Sequence, residues 1–289
     1  MLIPFAKMHG AANDYIFVDC TAELPVAEAE LPALARQMSD RRRGIGSDGL
    51  ILILPAPVPD TAFGFRMFNR DGSEGEMCGN GMRCFARYVV SRGLTDLTDF
   101  VVATKSGPIR CWVVPGEQTD EWAVTCDLGT PRLSRDEVPT ALPPGADGRV
   151  VEQRLELGGR VFAVTALSTG VPHAVLFVGD LEGLPWRQLG RELETHAAFP
   201  RRTNVEFARV VRRDWAEVKV WERGSGETMA CGTGACAVVV AGVLTGRLDR
   251  KARISLPGGD LEVVWRDSDG HVLLSGPAAE VFQGIFIRA

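Results

Sequence analysis

The chain repeats part of itself. Residue 65 placed over residue 218, an ungapped shift of 153, superimposes Arg70, Glu74, Cys78, Gly79 and Gly81 on Arg223, Glu227, Cys231, Gly232 and Gly234. Within the same window Arg66 meets Lys219 and Phe68 meets Trp221. Two further segments follow in the same order at slightly different shifts, 13–18 over 173–178 and 47–49 over 203–205. Internal similarity of this kind reports architecture that local propensity misses. Its simplest reading is a duplicated domain, each half carrying the same strand, turn and helix. A length of 289 residues suits two domains of the usual size. Two such halves facing one another are expected to place equivalent residues across a shared cleft.

Each copy has a legible local structure. Phe63, Phe65 and Met67 alternate, as do Val218 and Val220, which is the period of a strand with one buried face. A turn rich in Gly and Asp follows. After Cys78-Gly79-Asn80-Gly81, the apolar residues Met82, Phe85, Ala86, Val89 and Val90 recur at helical spacing as far as Gly93, a natural C-terminal stop. In the second copy residues 235–244 are apolar on nearly every side and end at Gly246, so that helix must be surrounded by protein. Residues 139–148, with three prolines and two glycines, read as a surface loop, and residues 281–287 have strand character.

The two Cys-Gly-x-Gly elements carry the chemistry. Each sets a thiol before glycines at the start of a helix, where unpaired N–H groups and the positive dipole end favour a thiolate and bind anions. Glycine removes side-chain bulk where a substrate must approach the backbone. One element alone would be unremarkable, because a lone Cys-Gly at a helix start is usually structural. Two copies, one from each half, predict thiols on opposite faces of a pocket. That arrangement suits inversion of a carbon stereocentre, in which a base removes hydrogen from one face while an acid donates to the other. A thiolate and a thiol, titrating near pH 8.5 when unperturbed, can exchange those roles with substrate handedness. The helix N-termini would stabilise the carboxylate and the charge that develops as the α-hydrogen leaves.

Composition excludes several alternatives. Apolar residues at 45% and charged residues at 24% describe an ordinary globular chain. A net charge of −5 leaves no basic footprint for nucleic acid. The longest apolar stretch is half the length a bilayer crossing needs, and residues 1–10 show no secretory signal, so no membrane association and a cytoplasmic location are expected. Seven cysteines with no C-x-x-C pair, and four histidines, suggest neither a disulfide scaffold nor a metal site. Cys20, Cys111 and Cys126 lie in or beside apolar alternations and are assigned to core or sheet, and Cys84 and Cys236 to packing within the helices.

The residues as a set resemble the diaminopimelate epimerase family. The likeness runs nearly end to end. It takes in Lys7-Met8-His9-Gly10 with Asn13-Asp14, Gly44-Ile45-Gly46 with Asp48-Gly49, Phe68-Asn69 through Asp71-Gly72-Ser73-Glu74, and 78–84. It continues through Pro172-His173, Phe199-Pro200 with Asn204, Glu222-Arg223-Gly224, Glu227-Thr228, 231–235, Leu256-Pro257-Gly258-Gly259 and Gly276-Pro277-Ala278. The resemblance implies an α/β (α+β-like) fold of two similar pseudo-symmetric domains, each a curled, mostly antiparallel or mixed sheet around a central helix. The domains would be 1–128 plus 277–289, with the C-terminal strand returning to the first, and 129–276. It implies epimerisation of L,L- to meso-2,6-diaminopimelate with no metal or other cofactor, and a homodimer. Cys78 and Cys231 would be the acid–base pair. Gly79, Asn80, Gly232 and Thr233 would hold the reacting carboxylate, and Asn13, Asn69, Asn204, Glu222 and Arg223 the remaining polar groups of the small-molecule amino-acid substrate. His173 and Asp48 are further candidates.

Two segments depart from the family's pattern. Gly170-Val171-Pro172-His173 replaces the family's usual Gly-Asn-Pro-His, and Gly10-Ala11-Ala12-Asn13-Asp14 its usual Gly-Leu-Gly-Asn-Asp. Val171 leaves the two-thiol chemistry intact and opens a second reading, a racemase or epimerase of another amino acid. A reading from a different class is a thiol redox or binding protein using the same two cysteines.

Overall fold

The computed structural model describes residues 1–116 and 122–288. The chain divides into two compact units, Met1–Asp127 with Ser275–Ala289, and Leu128–Leu274. In the first, the strands are β1 (Leu2–Gly10), β2 (Asn13–Asp19), β3 (Gly49–Pro55), β4 (Phe63–Asn69), β5 (Glu74–Gly75), β6 (Asp99–Thr104), β7 (Gly107–Val114) and β8 (Ala123–Asp127). Helix α1 (Leu31–Ser39) lies between β2 and β3, and α2 (Gly79–Ser91) follows β5. The second unit runs β9 (Val150–Leu157), β10 (Arg160–Ser168), β11 (Pro172–Phe177), α3 (Trp186–Glu194), β12 (Asn204–Arg212), β13 (Trp215–Glu222), β14 (Gly226–Glu227), α4 (Gly232–Leu244), β15 (Lys251–Leu256) and β16 (Gly259–Trp265). After β17 (Val272–Pro277) the chain returns to the first unit as β18 (Ala279–Ile287).

Each unit is a mixed sheet with the same pairing pattern. In the first, β18 and β2 flank β1 antiparallel, β2 runs parallel to β3, β3 antiparallel to β4, β4 parallel to β6, and β6 antiparallel to β7. In the second, β9 and β11 flank β10 antiparallel, β11 runs parallel to β12, β12 antiparallel to β13, β13 parallel to β15, and β15 antiparallel to β16. The duplication therefore covers whole sheets, well beyond the matched motif.

The sheet is covered on both faces at β3, which explains that strand's unbroken apolar run, buried from Gly49 to Ile53. Leu50 and Leu52 join a cluster with Leu34, Ala35 and Met38 of α1. Alternate residues turn the other way, and Ile51 Cδ1 lies 2.7 Å from where a Cβ on Gly81 of α2 would sit. Helix α2 touches β1, β2, β3, β7 and β8, strands far apart in the sheet order, so the sheet curls around it. Helix α4 is held the same way by β10, β11, β12, β15 and β16, and it is buried from Ala235 to Gly242. Helix α2 ends as its sequence requires: Gly93 takes φ 66° while its N–H and that of Leu94 return to Val90 O and Val89 O. The loop 139–148 forms no strand and is mostly exposed, but Thr140 and Leu142 are buried.

The ladders correct the detail of the repeat. Tyr15 opposes Gly49 and Leu50 opposes Phe68, whereas His173 opposes Asn204 and Val205 opposes Trp221. Because Phe68 and Trp221 are equivalent, Leu50 corresponds to Val205, Gly49 to Asn204 and Tyr15 to His173. The match of Asn13 to His173 and of Asp48 to Asn204 is thus displaced by two residues and by one: Asn13 corresponds to Val171, and Asp48 to Thr203. Apolar strand runs superimpose almost equally well at neighbouring shifts, while backbone hydrogen bonds admit a single register.

Between β1 and β2 the paired residues Gly10 and Asn13 enclose Ala11 and Ala12, at φ 52° and 62°. This is the tight hairpin that ordinarily takes Asn or Gly, and an L-residue in the left-handed region costs roughly 1–2 kcal/mol. Glycine at position 12 relieves that cost and gives back part of it as unfolded-state entropy. Ala12→Gly is expected to stabilise the protein by up to about 1 kcal/mol, read as a higher denaturant midpoint; a lower midpoint would contradict the strain.

Candidate active site

In each unit the thiol is the residue that caps a buried helix. Cys78 caps α2 with φ −137° and ψ 122°, and Cys231 caps α4 with φ −122° and ψ 110°. Their carbonyls accept the first bonds of the helices, from Met82 N–H at 2.8 Å and Ala235 N–H at 2.9 Å. Both caps are extended, but only the Cys231 side chain takes a helix N–H as its cap bond; the Cys78 side chain makes none. At Cys231 the Gly234 N–H donates to Sγ at 3.4 Å, and Thr233 Oγ1 lies 3.4 Å away.

Around Cys78 the strands supply a fixed polar frame. Tyr15 Oη donates to Sγ at 3.2 Å, and Asn13 Oδ1 accepts from it at 3.5 Å. Residues 13 and 15 share one face of β2, as the period of a strand demands. The Asn13 amide is oriented from both ends. Its Nδ2 donates to Asp48 Oδ2 at 2.7 Å, and its Oδ1 accepts from Asn80 Nδ2 at 3.2 Å. Behind it, Asp14 is bound by Lys7 at 2.7 Å and by Arg41 at 2.7 Å, and Arg41 also reaches Asp48 at 2.9 Å. Burial works against the Asp14 carboxylate, but Arg41 and Lys7 outweigh it and hold its pKa below the usual range. The fully buried Arg83 ties the first turn of α2, donating to Asn80 Oδ1 at 2.8 Å and, at 3.4 Å, to Gly79 O and Pro277 O.

Cys231 has a different environment. Glu222 Oε1 accepts from Thr228 Oγ1 at 2.6 Å, and Asn204 Oδ1 accepts from Arg223 N–H at 2.7 Å. Thr169 Oγ1 donates to Thr233 O at 2.9 Å. His173 Nδ1 and Glu206 Oε1 are 2.7 Å apart, both side chains fully buried. Among the described residues, neither His173 Nε2 nor Glu206 Oε2 has a hydrogen-bond partner. Burial, then the charges of Glu222 and Glu206, push the Cys231 thiol well above its ordinary value, against the pull of Thr233 and the Gly234 N–H. Burial likewise raises Glu222, with Glu206 adding to it.

The candidates of the sequence thus fall into two groups: Asn13, Asp48, Cys78, Gly79 and Asn80 in one unit, and His173, Asn204, Glu222, Arg223, Cys231, Gly232 and Thr233 in the other. Asn69, at the end of β4, donates from Nδ2 to Ser73 Oγ at 3.0 Å. Arg223 is exposed, with Nη1 on Arg201 O at 3.4 Å. Sequence reasoning missed Tyr15, Arg83 and Glu206. Tyr15 and Glu206 each lie two residues beyond a chosen asparagine on the same strand face, the period-two signal that finds them. No cluster of three or more metal-ligating side chains occurs among the described residues. No helix among them is long and apolar enough to cross a membrane.

This architecture is shared with solved structures of low sequence similarity. A hydroxyproline epimerase from Agrobacterium vitis superimposes with a TM-score of 0.68 at 14% identity, covering 99% of this chain and 92% of that one. A PhzF-family phenazine biosynthesis protein of Bacillus anthracis superimposes with a TM-score of 0.72 at 14% identity, covering 100% of each chain, so the same fold serves both. The family model for diaminopimelate epimerase matches residues 5–134 and 165–281. The diaminopimelate epimerase of Pelotomaculum thermopropionicum is 48% identical over 283 residues, 97% of each chain. That of Desulforudis audaxviator is 49% identical over 286 residues, 99% of each. The chain belongs to the diaminopimelate epimerase family and is an isomerase.

Glu206→Gln removes one of the two carboxylates that disfavour a thiolate at Cys231. The midpoint pH for alkylation of Cys231, followed peptide by peptide by mass spectrometry, is expected to fall; a rise would refute the assignment of Glu206 as a charge acting on this thiol.

Proposed function

We propose that the chain inverts an amino-acid α-carbon without a cofactor, with Cys78 and Cys231 as the acid–base pair and diaminopimelate as substrate. The observation that carries this reading is the equivalence of the two thiols: each caps the buried helix of its own unit, at corresponding points of a duplicated sheet. A pair so related is what two-base chemistry needs. One Sγ takes the α-proton as thiolate while the other delivers its proton to the opposite face, which regenerates the pair with roles exchanged. The cap N–H groups of residues 79, 80, 232 and 233 would receive the carboxylate and the charge that grows on it. Asn13, Asn69, Asn204, Glu222 and Arg223 would hold the remaining polar groups. A planar guanidinium takes a carboxylate bidentately, and a carboxylate takes an ammonium. Closure on the substrate would exclude water from the thiols.

Val171 favours a second reading in the same class. It occupies the position equivalent to Asn13, so an amide present in one unit is an aliphatic group in the other, and the side-chain pocket could belong to a different amino acid. Incubation in deuterated water separates the two. Deuterium entering the α-position of diaminopimelate supports the first; exchange confined to another amino acid overturns it. A thiol redox role would require a disulfide for activity, so turnover lost on adding reductant would count against both.

Cys78→Ala and Cys231→Ala are each expected to lower epimerisation by roughly 10² to 10⁴ or more, the loss of a general acid–base group, with circular dichroism unchanged. Near-normal turnover in either ends the two-base reading. The pH–rate profile is expected to be bell-shaped, because below the thiol range no base remains and above it no acid. Burial and the carboxylates raise Cys231, so the alkaline limb, where its proton is lost, is displaced above the ordinary thiol range.

A cytoplasmic homodimer completes the proposal. Leu2 of β1 and Val281, Phe282, Ile285 and Ile287 of β18 are exposed, an apolar set that a second copy would cover. Ile285→Asp is expected to shift sedimentation from dimer to monomer; a wild-type chain that sediments as a monomer overturns this part.

A further inference from the structure

The two units share a scaffold but differ in the groups that meet the thiol. By sheet register Tyr15 is equivalent to His173, and Ile51 to Glu206. Residues 51 and 206 press on equivalent glycines: Ile51 Cδ1 is 2.7 Å from the position of a Cβ on Gly81, and Glu206 Oε1 is 2.7 Å from that on Gly234, itself 3.3 Å from Cys231 Sγ. One slot thus holds an aliphatic side chain with a tyrosine, and the other a buried acid with a histidine. The sulfur beside the first meets a neutral hydroxyl donor; the sulfur beside the second meets carboxylates.

Resting on the proton-transfer reading above, we propose that Tyr15 is a further catalytic residue, whose hydroxyl donates to Cys78 Sγ and holds it as the resting thiolate, leaving Cys231 as the resting thiol. The Tyr15 ring is built in for this task. It is buried on β2, its Cε1 lies 3.2 Å from the position of a Cβ on Gly49, and its Cδ2 lies 3.7 Å from that on Gly81. The absence of side chains at both glycines makes the space it fills, so the hydroxyl is fixed by the sheet.

The surrounding charges act in the same sense. Among the described residues, the ionisable groups tied to the Cys78 frame are Lys7, Asp14, Arg41 and Asp48 behind Asn13, and Arg83 and Cys84 on α2, with Glu76 two residues before the thiol in the chain. Lys7, Arg41, Asp14 and Asp48 are paired with one another. Arg83 is a buried cation in the first turn, and Cys84 is held protonated by burial, its pKa about 12. Around Cys231 the ionisable groups are Glu222 of β13, Glu206 of β12 and His173 of β11, two acids and a histidine. In the first half-reaction the Cys78 thiolate takes the α-proton while the Cys231 S–H gives up its own. The Tyr15 proton stays on its oxygen throughout, donated to sulfur while the sulfur is charged. Asn13 Oδ1 then accepts the new S–H.

The test is alkylation of the full-length protein with iodoacetamide across pH, resolved by peptide, for the wild type and Tyr15→Phe. In the wild type Cys78 is expected to react at lower pH than Cys231. Tyr15→Phe is expected to raise the Cys78 midpoint by about one pH unit, a tenfold fall in thiolate fraction, and to lower kcat with little change in KM. Cys84 serves as the sentinel for loosening: it should stay unreactive in both proteins, whereas a merely structural role for Tyr15 would expose it. An unchanged Cys78 midpoint, or Cys231 reacting at the lower pH in the wild type, overturns the proposal. Alkylation reads the thiol itself, so this failure is distinct from that of the two-base reading, which Cys78→Ala turnover decides.

Discussion

The register between a parallel strand pair and the antiparallel strand beside it is the constraint on which the surroundings of each thiol depend. Parallel pairing of β2 with β3 sets Tyr15 opposite Gly49, and β3 with β4 sets Leu50 opposite Phe68. That brings the β2 face bearing Asn13 and Tyr15 to the helix that starts just beyond β5. A slip of one residue would turn both side chains to the α1 face and leave Cys78 without its donor and acceptor. Pairing of β11 with β12 fixes His173 against Asn204 in the same manner and presents Glu206 to the α4 side.

Burial converts that geometry into chemistry. A thiol at an exposed helix start would feel the dipole weakly and titrate near its ordinary value. At the caps of helices enclosed by sheet, the same N–H groups act at low dielectric, and so do the carboxylates. Cys231 is pushed up chiefly because it is desolvated, with Glu222 and Glu206 adding to it. The glycines after each thiol do two jobs. They add no side-chain bulk at the helix start, and at Gly81 and Gly234 they admit a side chain from the neighbouring strand, Ile51 in one unit and Glu206 in the other.

Duplication supplies two equivalent positions, and divergence makes them unequal. Tyr15 against His173, Ile51 against Glu206 and Asn13 against Val171 are three substitutions between copies of one slot. A symmetric pair of thiols would have no preferred charge state. In the proposed reaction, the different partners around the two sulfurs would give the acid and the base distinct resting identities.

The paired Cys-Gly-x-Gly elements, the helices behind them and the strand-like alternation before them were legible in sequence, because each is local: a cap, a stop glycine, a period of two or 3.6. The duplication was legible too, since Cys78 and Cys231 sit in motifs whose glycines and acids repeat at one shift. The correspondence of Tyr15 with His173 was not, because runs such as 13–18 and 173–178 are apolar and superimpose at several shifts. Nor was the pairing of Glu206 with His173, two residues 33 positions apart in the chain, or the orientation of the Asn13 amide by Asp48 from one side and Asn80 from the other. Those contacts join segments remote in sequence. Only hydrogen-bonded register and burial, which a linear pattern does not encode, decide which polar groups meet which sulfur.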